Sequence, residues 1–353
     1  MLGIALLTLV PGEHGGSETS TRGLLRALAR AGTLPYRVYL PPVAPDDGEG
    51  LPSEVVPEYR LARTVPARLA AMSAAAMRPG PLRQRLAEAE AVHYPLTIRL
   101  PPLTVPTAVT LHDVQHVDLP HLFSRAERSF RELAYHRSAR SARVVIVPSA
   151  FVRDRAVACL GLDAAAVRVI HHGLDHERYA PGEGEGEREP FLLYPARPWP
   201  HKNHRCLYEA FELLRAERPE LRLVLTGGGH VAEGPEGVDV RGNVSEDELI
   251  WLYRHAAALV FPSLYEGFGL PPLEAMACGC PVACSPAGSL REVCGDAARF
   301  FDPHDAAGMA AAVTEVLDDP QPWRERGVAH AAGFTWERAA RQYEDVYREL
   351  LAG

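Results

Sequence analysis

The sequence has little lysine, little cysteine and no long hydrophobic run. Its 37 basic residues include one lysine, Lys202, and therefore 36 arginines. Six cysteines in 353 residues do not resemble a secreted disulfide framework, so we expect reduced, buried thiols. Four of them cluster between Cys278 and Cys294 around an apparent helix end and a short apolar strand, and we predict no metal there. No apolar run approaches the roughly 20 residues of a membrane span.

The first ten residues are apolar but lack the marks of a signal peptide. They have no basic n-region and no small-residue cleavage site, and Pro11-Gly12 ends the run. The segment Ile4–Val10 therefore predicts a buried first strand, and we expect a cytoplasmic protein.

Charge is unevenly divided along the chain. Residues 1–180 hold 21 Arg and 17 acidic residues, a balance of +4, and the remainder holds 16 basic and 28 acidic residues, a balance of −12. A basic first half suits an anionic or membrane-associated acceptor, and its field is too weak to predict a nucleic-acid partner. The stretch Tyr59–Ala87 carries six arginines and no acidic residue. It is either a solvated basic helix or a surface for the acceptor or for lipid at the membrane face, and both interpretations stay open.

The pattern of apolar segments predicts two α/β domains. Residues 181–190 alternate Gly and Glu between two prolines, which is typical of a solvated linker. On each side, in residues 1–180 and 191–335, short apolar strands alternate with amphipathic helices, the pattern of a doubly wound parallel sheet. The last segment, 336–353, has an aromatic face at helical spacing, and we expect it to pack back on the first domain.

Two capping boxes predict helix starts. Ser124 with Glu127 begins a predicted helix over Arg125–Ser141, and Ser289 with Glu292 begins a predicted helix over Ser289–Cys294.

A basic turn follows the first strand of the second domain. Arg197 and Lys202 lie between that strand and the next helix, whose N-terminal amides favour phosphate. Because arginine serves at every other basic position, the single lysine indicates a site that needs a compact ammonium. The alternative is a solvated charge at a helix start.

Two carboxylates bracket a Gly/Pro-rich turn further along. Glu266 and Glu274 are separated by seven residues in EGFGLPPLE. Gly267 and Gly269 allow close approach of the backbone to a ligand, and the two prolines suit the first turn of a helix. The turn follows a strand, so these groups are predicted at the carboxyl edge of the sheet, where open α/β folds bind ligands.

This segment resembles the E-x7-E signature of retaining, two-domain glycosyltransferases of the family 4 type. The likeness covers nearly the whole chain, including GGSE at Gly15–Glu18, HDVQH at His112–His116, HHGLD ending at Asp175, and PHKNH around Lys202. The subgroup it is most similar to comprises bacterial mannosyl- and rhamnosyl-transferases. The resemblance implies a GT-B fold, an α/β architecture of two Rossmann-like doubly wound domains facing across a cleft.

The resemblance also implies roles for individual residues. Glu266 would hydrogen-bond the transferred sugar, and Lys202 and Arg197 would neutralise the leaving diphosphate. His112 would contact the sugar from the first domain. The donor-binding residues would be Gly15, Gly16, Gly267, Phe268, Gly269, Leu270, Glu274, Asn243 and Val244. Within this set Glu274 would hold the ribose hydroxyls, and the last two residues would lie near the base.

The implied reaction transfers a hexose, mannose-like by preference, from a GDP- or other nucleoside-diphosphate sugar with retention at the anomeric carbon. Front-face attack is favoured over a double displacement through Glu266. The sequence contains no D-x-D motif, so we expect no metal and no cofactor beyond the donor. The expected acceptor is a carbohydrate, a lipid-linked glycan or a natural product. Peripheral contact with a membrane through the basic first domain is compatible with this.

Other functions fit the residues less well. A nucleotide-sugar epimerase or a non-catalytic scaffold would not need Lys202 together with both glutamates. A nicotinamide dehydrogenase is disfavoured because Gly227-Gly-Gly-His does not complete G-x-G-x-x-G. The chain departs from the family pattern at Ala196, often glycine, and at His172, usually asparagine.

Overall fold

The chain forms two compact units. The computed structural model describes residues 1–13, 15–59, 65–182, 188–229 and 234–353, with residues 65–69 described by their backbone alone. The first unit comprises Met1–Gly173 and Trp336–Gly353, and the second comprises Leu174–Thr335.

The boundary between the units precedes the predicted linker at 181–190, which falls inside the second unit. Its residues 183–187 lie outside the described part of the chain. The backbone amide of Leu174 donates to the carbonyl of Phe334 at 3.0 Å, and a ring nitrogen of His176 lies 3.0 Å from the same oxygen. Residues just after Gly173 therefore bond to the end of the second unit, whereas the composition singles out only the Gly/Glu segment that follows.

The first unit contains a parallel sheet buried on both faces. Among the described residues its seven strands lie in the order β3-β2-β1-β4-β5-β6-β7. They are β1 (Leu2–Ala5), β2 (Tyr36–Leu40), β3 (Ser53–Val55), β4 (Ala91–Tyr94), β5 (Thr107–Thr110), β6 (Val144–Val147) and β7 (Val167–Val169). The helices are α1 (Gly16–Ala31), α2 (Val65–Met77), α3 (Gly80–Arg85), α4 (Gln115–Asp118), α5 (Arg125–Arg131), α6 (Arg137–Ser141), α7 (Ala150–Leu160) and α14 (Trp336–Leu351). Continuous apolar strands such as VVIV are typical of sheets covered by helices.

The second unit repeats this architecture. Six parallel strands of its described residues lie in the order β10-β9-β8-β11-β12-β13. They are β8 (Glu189–Pro195), β9 (Arg222–Thr226), β10 (Val238–Gly242), β11 (Ala256–Phe261), β12 (Val282–Cys284) and β13 (Arg299–Phe300). The helices are α8 (His204–Glu217), α9 (Glu246–His255), α10 (Leu270–Ala277), α11 (Leu290–Cys294), α12 (Ala306–Asp318) and α13 (Gln321–Ala331). Counted from β8, this is the 3-2-1-4-5-6 Rossmann order, with its topological switch point between β8 and β11.

Of two sequence predictions in the first unit, one is wrong in extent and the other is confirmed. The strand predicted over Ile4–Val10 is wrong in extent, since β1 ends at Ala5 and a turn follows in which the amide of Leu9 donates to the carbonyl of Leu6 at 2.9 Å. A buried turn and a buried strand share the same apolar composition. The helix predicted over 125–141 is confirmed, with a π-helical segment at Glu132–His136 between α5 and α6, and Ser124 forms its capping box.

The basic stretch Tyr59–Ala87 lies partly outside the described residues, at 60–64. Two of its arginines make contacts within the first unit. Arg85 pairs with Glu58 at 2.8 Å, and Arg83 donates to the carbonyl of Pro102 at 2.8 Å. Within the described ranges, no helix combines the length and apolar character needed to cross a bilayer.

The C-terminal helix α14 is part of the first unit. Its tyrosines Tyr343 and Tyr347 belong to the buried core that also contains residues of α1, β1 and β2. The hydroxyl of Tyr347 lies 2.9 Å from Nδ1 of His93, whose pKa falls to about 3 because the ring is buried. A Cβ on Gly23 of α1 would lie 2.3 Å from the ring of Trp336, so glycine is required for this close approach.

Glu344 anchors α14 to the first residue of β2 and to the segment before it. Its carboxylate accepts from the amide of Thr33 at 2.5 Å and from the hydroxyl of Tyr36 at 2.5 Å, and Arg348 pairs with it at 2.8 Å. Burial alone would raise the pKa of Glu344, but the hydrogen bonds from Tyr36 and Thr33 outweigh it and lower the pKa. The ionised carboxylate therefore stabilises the first unit.

We expect Glu344→Ala to lower the free energy of unfolding by about 2–3 kcal/mol, because buried donors lose a charged acceptor. Asp345→Ala is the matched control, since the side chain of Asp345 is 77% exposed. Because the pKa of Glu344 is lowered in the folded state, wild type should have a larger free energy of unfolding than Glu344→Gln above the ordinary carboxyl pKa. This difference should disappear as the pH falls through the folded-state pKa. Urea denaturation as a function of pH measures this, and equal losses for the two alanine variants would contradict it.

Candidate functional site

The switch point of the second unit brings the two predicted motifs together. Strands β8 and β11 are parallel neighbours, and the chain leaves their carboxyl ends toward Lys202 and Glu266 respectively. The amide of Leu264 in the loop after β11 donates to the carbonyl of His201 in the loop after β8 at 2.7 Å. The two loops therefore form one surface at the sheet edge.

Lys202 and Glu266 form an ion pair. The Nζ of Lys202 donates to Oε1 of Glu266 at 2.5 Å, and the side chains are only 13% and 14% exposed. The ammonium also lies 5.2 Å from the ring centroid of Phe261, the last residue of β11. The partly buried charge is thus balanced by a carboxylate and an aromatic face.

The backbone around Lys202 is fixed by its neighbours. Residues Pro200–Lys202 form a single 3₁₀ turn, and the hydroxyl of Tyr194 donates to the carbonyl of Lys202 at 2.6 Å. Asn203 follows with a φ of 59°, and its amide side chain donates to the carbonyls of Pro262 and Pro303. These contacts hold Lys202 at the start of α8.

Arg197 lies in the same loop and is positioned by its surroundings. Its guanidinium stands 5.8 Å from the ring centroid of Trp199, which is 46% exposed. A Cβ on Gly227, after β9, would come within 3.0 Å of the Arg197 amide nitrogen, so these two loops run close together.

The turn after Glu266 is held from behind by the segment before α11. Ser289 Oγ donates to the carbonyl of Glu266 at 3.1 Å and to that of Phe268 at 2.8 Å. Gly288 has a φ of +63°, and a Cβ there would lie 2.3 Å from the Glu266 carbonyl oxygen. Gly269, with a φ of +99°, approaches Leu290 as closely, since its Cβ would lie 2.5 Å from Cδ2 of that leucine.

The capping box predicted at Ser289 is therefore wrong. Helix α11 begins at Leu290, and Ser289 makes no side-chain cap. The hydroxyl that the motif assigns to the helix amide is used instead to hold the Glu266 turn. The motif at residues 289–292 is local, whereas this contact joins positions 23 residues apart.

Helix α10 begins at Leu270, directly after the turn, with prolines in its first turn as predicted. Glu274 follows one turn later and is buried. Its Oε2 accepts from the hydroxyl of Tyr253 on α9 at 2.9 Å. Burial raises the pKa of Glu274 to about 7, although the Tyr253 hydrogen bond opposes the rise. Tyr253 was not predicted, since it lies on a buried helix face where an aromatic residue signals only packing.

Asn243 and Val244 follow β10, next to the loop after β9. The amide of Gly227 donates to the carbonyl of Gly242 at 2.6 Å, and a Cβ on Gly228 would lie 2.9 Å from Oδ1 of Asn243. The rest of the glycine-rich loop, from His230 to residue 233, lies outside the described residues.

The predicted residues of the first unit also lie at the carboxyl edge of their sheet. Gly15 precedes α1 with a φ of +55°, and within the described residues a Cβ on Gly15 or Gly16 would meet no atom closer than 4 Å. A ring nitrogen of His112, after β5, lies 2.8 Å from the carbonyl oxygen of Pro95, after β4. Its ring centroid is 6.1 Å from that of His172, which is buried and has its pKa well below the usual value as a result.

The clustered cysteines of the second unit are packing residues. Cys278, Cys280, Cys284 and Cys294 carry free thiols and belong to the apolar core. Across the described ranges, no group of three histidine, cysteine or acidic side chains is arranged to hold a metal ion.

We expect Gly288→Ala to lower the free energy of unfolding by about 3 kcal/mol or more, because the strained backbone and the clash with Glu266 add together. Gly242→Ala is the matched control in the same unit. Its φ of +64° is nearly the same, and in the described part of the chain its Cβ would meet no atom within 4 Å. The control should lose about 1–2 kcal/mol from the backbone alone. Chemical denaturation compares them, and equal losses would show that the close approach to Glu266 is unimportant.

Comparison with known proteins identifies the family. Residues 14–178 match the family model for Glycosyltransferase Family 4, and residues 175–332 match that for Glycosyl transferases group 1. The chain is 33% identical over 266 residues to O-antigen chain mannosyltransferase B of Escherichia coli, covering 68% of this chain and 70% of that protein. It is 31% identical over 247 residues to the serotype-specific mannosyltransferase WbdA of Escherichia coli, covering 65% of this chain but only 29% of that longer protein.

Solved structures share the whole fold. Sucrose-phosphate synthase from Thermosynechococcus elongatus superposes with a TM-score of 0.80 at 21% identity, covering 99% of both chains. Anabaena Alr3699/HepE in complex with UDP-glucose gives a TM-score of 0.73 at 17% identity, again covering 99% of both chains. With two Rossmann-like units, matches to both family models and a relative aligned over most of its length, the chain belongs to the family 4, or group 1, glycosyltransferases and is an enzyme of the GT-B fold.

Proposed function

We propose that the protein transfers a mannose-like hexose from a nucleoside-diphosphate sugar, with GDP as the favoured carrier, to a glycan, lipid-linked or small-molecule acceptor with retention of configuration. The observation that carries the proposal is the Lys202–Glu266 pair, which lies at the switch point of the second unit beside the N-terminus of α10. Such an edge is where open α/β folds bind ligands.

Lys202 supplies the positive charge that the leaving group requires. As the glycosyl–oxygen bond breaks, negative charge builds on the diphosphate, and fixed donors that strengthen with that charge lower the barrier. A bound diphosphate would compete with Glu266 for the ammonium. Glu266 could then accept from a hydroxyl of the transferred sugar. Arg197 and the amides of Phe268, Gly269 and Leu270 would add donors around the phosphates.

The bond changes can be stated in full. The bond from the anomeric carbon to the diphosphate oxygen breaks, and a bond from the acceptor oxygen to that carbon forms on the same face. The acceptor hydroxyl proton passes to the departing phosphate oxygen. The chain's residues in this scheme orient the donor and stabilise charge, and no cofactor is required.

The names of the relatives support mannose as the sugar, and one structural neighbour supports a nucleoside-diphosphate sugar as the class of donor. Both relatives reported above are mannosyltransferases, and the HepE structure is a complex with UDP-glucose. Glu274 would hold the ribose hydroxyls and Asn243 would lie near the base. On the first unit, Gly15, Gly16 and His112 would contact the donor. The acceptor would bind the first unit, where the basic stretch Tyr59–Ala87 is the candidate for an anionic or lipid-linked acceptor.

A thermal-shift panel of GDP, UDP, dTDP and ADP sugars tests the donor. We expect GDP-mannose to raise the melting temperature most, because the sugar nucleotide that binds most tightly stabilises the folded protein most. A ligand at 100 times its Kd stabilises the folded protein by about 2.7 kcal/mol. A larger shift with a UDP sugar would overturn the choice of base and leave the transferase assignment intact. No shift with any sugar nucleotide would contradict donor binding and favour a scaffold.

Lys202→Ala should lower turnover of the identified donor by about 10²–10³-fold, because one preorganised donor to the developing charge is lost. Glu274→Ala should mainly raise the KM for the donor, because it removes ground-state contacts to the ribose. Arg205→Ala is the control for lost positive charge, since its side chain is 93% exposed three residues away. Steady-state kinetics on folded variants measure all three. Near wild-type turnover by Lys202→Ala would show that the ammonium does not serve the leaving group.

A further inference from the structure

The environment of Glu274 contains a second buried polar group with no role in the scheme above. Tyr253 lies on α9 with 0% of its surface exposed, and its hydroxyl donates to Oε2 of Glu274 at 2.9 Å. In the described residues the other carboxylate oxygen, Oε1, accepts no hydrogen bond. One oxygen of Glu274 is therefore held from inside the unit, and the other is left for a ligand.

Tyr253 is itself held rigidly. Its ring centroid lies 6.4 Å from that of Tyr179, and both rings belong to the buried core of the second unit. The hydroxyl of Tyr179 donates to Oε1 of Glu246, at the start of α9, at 3.1 Å. The two tyrosines thus lie side by side, and each serves a different carboxylate.

The hydrogen bond from Tyr253 matters because Glu274 has a flexible side chain and its carboxylate is buried. A buried carboxylate without a partner is strongly disfavoured, and a hydrogen bond to the charged form reduces that cost. The titratable groups that face Glu274 are Tyr253 and Glu246 on α9, Tyr179 before the sheet, and Cys278 just after α10. Of these, Tyr253 is the group whose hydrogen bond favours the ionised carboxyl, while Glu246 opposes ionisation.

We propose that Tyr253 is a positioning residue for donor binding: its hydroxyl fixes the carboxylate of Glu274 so that Oε1 faces the ribose hydroxyls. The proposal rests on the proposed role of Glu274 in holding the donor ribose. Tyr253 does not touch the donor and acts only through Glu274. A rigid acceptor loses less conformational entropy when the ribose binds than a freely rotating one does.

The experiment compares wild type with Tyr253→Phe, Tyr179→Phe and Glu274→Gln in the full chain. Calorimetric titration with GDP and with UDP gives the Kd from about pH 5 to about pH 9, a range that spans the titration of a carboxyl with a raised pKa. Phenylalanine keeps the ring and removes one oxygen, so the fold should survive, and melting temperatures check this. Tyr179→Phe is the matched control because it removes a neighbouring hydroxyl that serves Glu246 instead.

We expect Tyr253→Phe to weaken binding of the better nucleotide about tenfold at neutral pH, as for loss of a hydrogen bond to a charged group. In wild type, affinity should fall as pH decreases through about 7, where Glu274 becomes protonated. In Tyr253→Phe this midpoint should move to higher pH, because the ionised carboxyl has lost a donor. A merely structural role would lower stability without moving the midpoint. Tyr179→Phe should keep the wild-type affinity.

Two results would separate the possible failures. If Tyr253→Phe keeps the wild-type Kd and midpoint while Glu274→Gln loses affinity, Tyr253 has no positioning role and the ribose-binding role of Glu274 stands. If Glu274→Gln binds both nucleotides as wild type does, that role of Glu274 is wrong, and the proposal for Tyr253 is overturned with it.

Discussion

The ion pair between Lys202 and Glu266 is the interaction on which the site of the second unit depends. It joins loops that leave two neighbouring parallel strands, so it exists only because β8 and β11 lie side by side at the switch point. Burying two charges is costly unless they are paired, and the pairing offsets part of that cost at the sheet edge. In the proposed reaction this compact ammonium would exchange the carboxylate for the phosphate of the leaving group.

Contacts made to the main chain of the two loops keep this pair in place. Gly288 lies against the main chain of Glu266, and the hydroxyl of Ser289 donates to the Glu266 carbonyl. The side chain of Leu290 packs against Gly269. The turn that precedes α10 is therefore supported from behind by the segment that starts α11. Support of this kind fixes the orientation of the N-terminal amides of α10 as well as the carboxylate of Glu266. The same loop can then present a charged group and a set of backbone donors together.

Sequence patterns predicted the two doubly wound halves and the motif residues, because strand and helix periodicities and turn glycines are local properties. They did not predict how those residues contact one another. Lys202 pairs with a residue 64 positions away, and Tyr253 donates to a residue 21 positions away. Such contacts follow from the order of strands in the sheet. Ser289 shows this limit of sequence prediction most clearly. Its local sequence matches a helix-capping motif, but its hydroxyl donates to the carbonyl of Glu266, 23 residues away, instead of capping α11.

The spacing of the two glutamates follows from the same geometry. Glu266 must stay in the loop to reach Lys202, and the left-handed backbone at Gly269 then turns the chain into α10. From Leu270 to Glu274 the helix completes slightly more than one turn and advances about 6 Å, which returns Glu274 to the face from which the helix began. One residue fewer or more between Leu270 and Glu274 would rotate Glu274 by about 100° away from Tyr253. The seven-residue interval thus combines the loop that leaves Glu266 within reach of Lys202 with the first helical turn that brings Glu274 to Tyr253.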